Sequence, residues 1–537
     1  MTINRRTFMK SSGAIVAGVT ALGWARHALA ETGHLRIAMT AADLPTTGGI
    51  PNNGAEGQRF LGCPVFESLT DWDLLGAPEH RALIRPSLAT EWSVDSAGTT
   101  WTFKLRENVL FHDGAKLDAN LIAWNFDRVY NSEAPHFDQI PSVQVKAFLP
   151  MISGYRAIDD MTVEVTTDRP ASYLPELLPR MLFVSKARYD EVGSWNAFAA
   201  QPAGSGPFMI SNVSPRVSVE MTPYTAYWNP DRVPKLQKMT VYPMPEPTTR
   251  LAALRSGQVD WIEVPPPDTI PSLKQAGFEV VTRPYPHCWP WVFSFSEGSP
   301  FRDKRVRQAL NFAINREGLV DLLNQTAQPA TGFVTKDDAW YGNPAIEYGF
   351  DPNRAKALLQ EAGYSEENPL RFKVMISSGG SGQMVPLPMN EYLQQNLREV
   401  GVQVEYEIVE WGTMLVALRK GASDAVALGC QAMNISLPYP EPSAFGRVFH
   451  ENAIAPNGLN WGGWRSPEID ALVDQIGATF EPEAVNGLMR RVHEIVVDEA
   501  PWLFVVHDLN PRAISSKVKN YHQAQSWYQD FTGIVVE

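Results

Sequence analysis

The chain has 537 residues, 44% of them hydrophobic and 20% charged, enough apolar sequence to fill two or three domain cores. A formal net charge of -13 makes the chain a poor candidate for binding nucleic acid, where a basic face is needed to displace counterions. Three cysteines, Cys63, Cys288 and Cys430, lie far apart and cannot all pair. The count rules out a disulfide framework, and with no CxxC there is no zinc or redox motif; buried free thiols are expected, with one long-range disulfide left open.

In chain order, residues 1–30 read as an export signal. Asn4 to Lys10 is a basic segment, Gly13 to Gly23 is apolar, and Ala28-Leu29-Ala30 supplies the small-x-small cleavage pattern. Arg5-Arg6 followed by Phe8 and Lys10 has the form of a twin-arginine signal. The apolar stretch is too short for a bilayer, which needs about 20 residues. A mature chain beginning at Glu31 has no cysteine there for a lipid anchor. Loss of Arg5, Arg6, Lys10 and Arg26 takes its net charge from -13 to -17.

Strands and helices then alternate. Leu35, Ile37 and Met39 alternate with polar residues, as do Trp101, Phe103 and Leu105, then Phe372, Val374 and Ile376, then Val402, Val404, Tyr406 and Ile408. Period two predicts half-buried strands. Asp303 is expected to cap a helix whose stripe is Val306, Leu310, Ala313 and Ile314. Asp351-Pro352 opens another, with Ala355, Leu358, Leu359 and Ala362 inside and Gly363 at its end; Ser466-Pro467 opens a third over Ile469, Leu472, Val473 and Ile476. The breaker-rich loops Gln201 to Pro207, Val264 to Pro267 and Ser377 to Gly382 follow strands or precede them, where α/β folds often border ligands. The fold class is α/β with mixed sheets.

No catalytic constellation emerges. His493-Glu494 begins an HExxH, but position 497 is Val. Gly379-Gly380-Ser381-Gly382 approaches a nucleophile elbow, but Gln383 stands where the last Gly belongs. Phe111-His112-Asp113-Gly114 reads as a turn after a strand rather than a metal site. Aromatic richness stands out instead. Among 16 Trp, Trp289, Trp291, Trp411, Trp461 and Trp464 lie beside Gly or Pro, where they suit either a core or a cleft that grips by area.

Six stretches in order carry a family resemblance. They are Thr90 to Trp92 with Thr100 to Gly114, Ala203 to Phe208, Tyr227 to Pro230 with Arg250 to Asp260, Pro300 to Asn311, Asp351 to Tyr364, and Ser466 to Leu472. Together they resemble the bacterial extracellular solute-binding proteins, family 5, which include oligopeptide-, dipeptide-, nickel- and opine-binding components of ABC importers. The resemblance runs from about residue 35 to 510 and implies a periplasmic-binding-protein-like type II architecture, two lobes with a hinge plus an additional domain. On that pattern 31–64, 204–284 and 508–537 form domain I, 65–203 domain II and 285–507 domain III. It further implies a periplasmic monomer that captures a small-molecule or peptide ligand and docks on an ABC permease and its ATPase, with no catalytic residue, metal or cofactor.

The resemblance also points to site residues. Peptide-binding members often use a Glu-Trp dipeptide near the cleft, and Glu410-Trp411 matches it, with the spacing to Gly421 and Asp424 kept. Oligopeptide binders carry an Asp that pairs with the ligand α-amine. Counting from Trp411 puts Met433 there, and counting back from Tyr439-Pro440-Glu441-Pro442 puts Pro438 there; neither is a carboxylate, and Glu441 is assigned to the turn. A buried ammonium without a counter-charge is costly. The expectation is therefore a ligand held by aromatic area and neutral polar groups, from Trp411, Met433, Asn434, Asn460 and Trp461 with Asp43 and Leu44 of the N-terminal loop. A blocked or modified peptide, an opine or an oligosaccharide fits; nickel fits poorly, with no His at a matching position.

Overall fold

The computed structural model describes residues 33–41, 44, 58–76, 83–380 and 382–537. The export signal read in 1–30, and Asp43, lie outside the described residues. The described strands form two large mixed sheets of seven strands, a four-stranded sheet and two short ribbons. The first large sheet runs in the order Glu279–Val281, Arg512–Ile514, Trp261–Glu263, His34–Met39, Lys238–Pro243, Ser218–Pro223, Phe208–Ser214. His34–Met39 is parallel to both neighbours and buries Leu35, Ile37 and Met39, the set predicted from period two. The second runs Ala327–Pro329, Trp502–Asp508, His287–Phe293, Ala432–Asn434, Arg371–Ser377, Gln403–Val409, with Leu437–Pro438 added to His287–Phe293. The four-stranded antiparallel sheet is Ala89–Val94, Thr100–Leu105, Thr162–Thr167 and Ile152–Asp159.

The chain passes between the two large sheets at 282–286 and again at 509–511. Two such crossings join two lobes side by side, and whatever lies beside them faces both.

The predicted helix starts are present. Asp303, Asp351 and Ser466 each accept a backbone N–H from the first turn of Lys304–Ala313, Pro352–Glu361 and Pro467–Gly477, satisfying donors that have no intrahelical partner. All three cysteines are free thiols.

Two of the sequence motifs interlock. Gly114, at φ +85, closes the turn after Phe111, accepted at Phe111 O over 2.8 Å. His112 then clamps the 204–206 segment: its backbone N–H donates to Gly204 O at 2.8 Å, and its ring nitrogens lie 3.2 Å from Gly204 N and 2.9 Å from Gly206 O. The glycines there are needed for close approach rather than for turning freedom. A β-carbon would stand 2.1 Å from Val65 O at Gly204 and 2.6 Å from Pro64 O at Gly206. Tyr227 and Trp228, from a third motif, both donate to Glu67.

Candidate functional site

Two cavities and a buried polar cluster lie along the seam between the lobes. The first cavity, of about 410 Å³, takes one wall from the first sheet (Thr40, Ala41, Val264 and 245–247) and the other from the second (378–380, 384–388 and 410–412). Trp411 opens the helix Trp411–Lys420, capped by Glu410, which accepts the Gly412 N–H. Its indole is half-buried and its Nε1 has no hydrogen-bond partner. Gly380, at φ +139, lies flat against that indole. Arg250 shapes the opposite wall by donating to Met244 O and Pro245 O at 2.7 Å and to Glu263 O at 3.1 Å. Val264 and Met384, both lining the cavity, hold φ of +44 and +55. Side chains adopt that region rarely, and such strain concentrates where ligands are held.

The second cavity, of about 960 Å³, lies between the four-stranded sheet and the second large sheet and reaches the crossing at Tyr285. Trp72, Trp92 and Tyr173 face Trp340, Tyr439 and Phe480 across it. The two sides are latched. Ser172 donates through its backbone N–H to Gly477 O and through its hydroxyl to Ile476 O, each at 2.9 Å. Beside them Glu441 sits between Arg180, at 3.2 Å, and Arg447. Burial acts to raise the Glu441 carboxyl, but Arg447 and Arg180 outweigh it and hold it below the ordinary range. Glu441 is thus committed to an ion triple, not merely to the turn assigned from sequence.

Between the cavities, Glu263 joins Arg59 to Arg512, its cross-strand neighbour at 3.4 Å. Asp508 accepts from the Tyr285 hydroxyl at 2.8 Å, and Tyr285 stacks on His287 with ring centroids 5.0 Å apart. Burial opposes ionisation of Glu263, but the two guanidiniums win and keep its pKa depressed. Burial, then the charge of Arg59, holds the His287 ring down to about 3, so it is neutral.

Of the residues expected at the site, Trp411 lines a cavity and Leu44 packs against the first lobe's core. The rest of the described set lies in the interior. Met433 is fully buried, on a central strand between Val292 and Met375. Its neighbour Asn434 spends its amide on Pro290 O at 3.0 Å and Asn390 at 2.9 Å. Asn460 folds its own loop through Trp464 O and N at 2.8 and 3.2 Å. Trp461 is 2% exposed, and Trp289 and Trp291 are wholly core. Strand Ala432–Asn434 has neighbours on both edges and packing on both faces, so a position count cannot turn its side chains into a cleft. Pro438 pairs in register with His287 and supplies no acid. The nitrogens of His493, the would-be zinc ligand, are engaged by Tyr341 O at 2.7 Å and Val334 N at 3.2 Å.

Sequence reasoning missed Arg59, Glu263, His287 and Arg512. They are spread over more than 450 positions and meet only in the fold, Glu263 and Arg512 as a cross-strand pair of the first sheet. Two loops flagged for their breakers, at Val264 and at 377–382, do contribute to the first cavity.

The family model described as bacterial extracellular solute-binding proteins, family 5 (middle part), matches residues 84–450. The heme-binding protein A of Haemophilus influenzae is 25% identical over 480 residues, 84% of each chain. The dipeptide-binding protein of Escherichia coli K12 is 25% identical over 491 residues, 85% of this chain and 89% of that one. In structure, an ABC-transporter-associated periplasmic binding protein from Helicobacter pylori, solved with the peptide STSA, superposes with a TM-score of 0.79 at 21% identity, covering 94% of this chain and 98% of that one.

Proposed function

The chain belongs to the bacterial extracellular solute-binding proteins, family 5, and from that premise we propose that it captures a peptide-like or other small organic solute in the periplasm by lobe closure and delivers it to the permease of an ABC importer. The observation that carries this reading is the first cavity, whose walls come from both lobes and whose aromatic face is Trp411. A ligand there touches both lobes and so favours the closed arrangement over the open one. Residues 285–507 act as one lobe, 31–64, 204–284 and 508–537 as the other, and 65–203 as the added domain. Export of the monomer by the twin-arginine route through residues 1–30, and transport powered by a separate ATPase, complete the scheme. The chain itself breaks no bond and needs no cofactor.

The solute is held chiefly by area. No acid stands at Met433 or Pro438, and Glu441 is consumed by two arginines. The carboxylates of the first cavity, Glu246 and Glu410, are exposed at its rim. A blocked peptide, or a non-peptide such as an opine, therefore suits the cleft better than a free-amine peptide.

A thermal-shift panel of free-amine dipeptides, N-acetylated dipeptides, opines, sugars and nickel tests this. A binding protein gains stability with ligand concentration and returns the ligand unchanged. Trp411→Ala should weaken that ligand by about tenfold, the loss expected for a buried aromatic anchor. Chemical turnover of a solute, or a panel in which nothing binds, overturns the proposal. Tight binding of free-amine dipeptides overturns the argument from the missing acid.

A further inference from the structure

We infer that the cluster of Arg59, Glu263, Arg512 and His287 is an oxyanion subsite that receives a carboxylate of the captured solute. The inference deepens the solute-capture reading and rests on it.

The cluster is an unusual thing to bury. Arg59 is 2% exposed, Glu263 0%, Arg512 1% and His287 0%. Arg59 and Arg512 both reach Glu263, whose oxygens are already filled. One oxygen meets Arg59 and Arg512, and the other accepts the Thr40 N–H at 3.0 Å and its hydroxyl at 3.3 Å. Asp508, the second acid nearby, is engaged by Tyr285 and by the Asn510 N–H at 2.8 Å, and burial raises its pKa. Donors are consequently left over. Nε and Nη2 of Arg512, Nε2 of Gln58 and Nδ2 of Asn510 are buried without a hydrogen-bond partner, and so are both ring nitrogens of His287, one of which is a donor in the neutral ring. Among the described residues Arg512 otherwise reaches Pro511 O at 3.2 Å and Asn510 O at 3.5 Å, while its Nη2 approaches Glu263 as an ion pair.

A purely structural ion triple behaves differently. Burying charge is repaid only where the remaining donors are also met, and an unmet buried donor costs its desolvation. An excess of donors with no matching acceptor among the described residues suits an added oxyanion, and a planar guanidinium suits a carboxylate. The location agrees. Arg512 follows one of the two crossings between the sheets and Tyr285 lies in the other. Tyr285, stacked on His287, lines the second cavity, and Thr40, hydrogen-bonded to Glu263, lines the first, so each cavity ends at a residue in contact with the cluster. Gly382, at φ +69 and from the same lobe as His287, passes so close that its β-carbon would lie 2.9 Å from His287 Nε2. Trp527 covers the cluster, 5.1 Å from the Arg59 guanidinium and 5.1 Å from the His287 ring.

The test uses a matched pair of probes, N-acetyl-Ala-Ala and N-acetyl-Ala-Ala-amide, titrated calorimetrically into the mature full-length chain, with sodium sulfate as a free oxyanion. The acid should bind about tenfold or more tighter than the amide, as expected for a charge-assisted hydrogen bond. Arg512→Gln should reduce that preference to about threefold or less, and Arg512→Lys, which keeps the charge and loses the fork, should fall between. Trp411→Ala should weaken both probes alike. Should Arg512→Gln fail to fold, Arg512→Lys and His287→Gln carry the comparison. Equal affinity for acid and amide overturns the subsite, as does an unchanged preference in the folded variants. Sulfate that stabilises the protein as strongly as the acid overturns the assignment to a solute carboxylate. If neither probe binds while another solute of the panel does, the subsite is wrong and the capture reading stands; if nothing in the panel binds, both fall.

Discussion

A β-carbon on Gly380 would stand 2.5 Å from Cδ2 of Trp411 and 2.6 Å from its Cγ, so the loop and the indole fit only because that residue is glycine. Backbone and ring thus form one surface of the first cavity. Gly380→Ala adds a clash to a φ of +139 that alanine resists. It should cost about 1–3 kcal/mol of stability and displace the indole, lowering solute affinity. Gly379→Ala next door, with nothing within 4 Å of its β-carbon, should be close to neutral. Urea denaturation and ligand titration of the two variants check this; equal behaviour would mean that the loop is not braced on Trp411.

Glu441 is the second place where the lobes depend on one side chain. It is 2% exposed, between Arg180 and Arg447, and both guanidiniums also lie on Phe148, at 4.5 and 5.0 Å from its ring. Glu441→Gln leaves two buried cations facing each other. Removing one partner of a buried pair costs about 3–5 kcal/mol. Because Arg180 and Glu441 belong to opposite sides of the seam, much of that loss should appear as opening: a larger radius of gyration by small-angle scattering without ligand, together with a lower melting temperature. A lower melting temperature at unchanged radius would assign the triple to folding alone.

How far the sequence reached can be read from these same residues. Period-two strands and helix starts such as Asp351-Pro352 were legible because capping and alternation are local. The interlocked His112 and Gly204 were legible only as family motifs. Their contact joins segments 92 positions apart, and the tight approach of Gly204 to Val65 has no sequence signal of its own. Trp411, on the wall of the first cavity, was singled out in sequence through its Glu-Trp dipeptide. Met433 was misleading, since a count along the chain does not say which strands become central. Arg59, His287 and Arg512 gave no signal, because polar residues that meet only in the fold look in sequence like any others.

Glu67 gives a pH test. It is buried and accepts from the Tyr227 hydroxyl at 2.8 Å and the Trp228 indole at 3.0 Å; burial outweighs those bonds and pushes its pKa up to about 7 from 4.5. The native state therefore holds a proton that the unfolded chain releases above 4.5. Its contribution to stability is fully present below 4.5 and is lost as pH rises through about 7. Glu67→Gln, which keeps a neutral acceptor, should remove that decline: relative to wild type, its stability should improve between pH 5 and 8 by about 1.4 kcal/mol per unit of lost shift. Urea midpoints at pH 5, 6, 7 and 8 decide it, and parallel pH profiles would show that Glu67 titrates normally.

The buried histidines act with the opposite sign. Burial is the main cause that holds His493 and His507 down to about 4 and His287 to about 3, from an ordinary 6.5. Below 6.5 the unfolded chain takes up protons that these rings refuse, so the stability they contribute is present above 6.5 and drains as pH falls toward 4. His493 offers the cleanest variant, because it lies away from the crossings and both nitrogens are bonded to backbone. His493→Gln should lose stability at pH 7, where two hydrogen bonds are disturbed, yet decline less steeply than wild type between pH 6.5 and 4, by about 1.4 kcal/mol per pH unit at most. His287→Gln should flatten the same limb and in addition alter recognition of N-acetyl-Ala-Ala, which His493→Gln should leave alone. Two variants with the same acid behaviour and different ligand behaviour would separate a histidine that only packs from one that faces the solute.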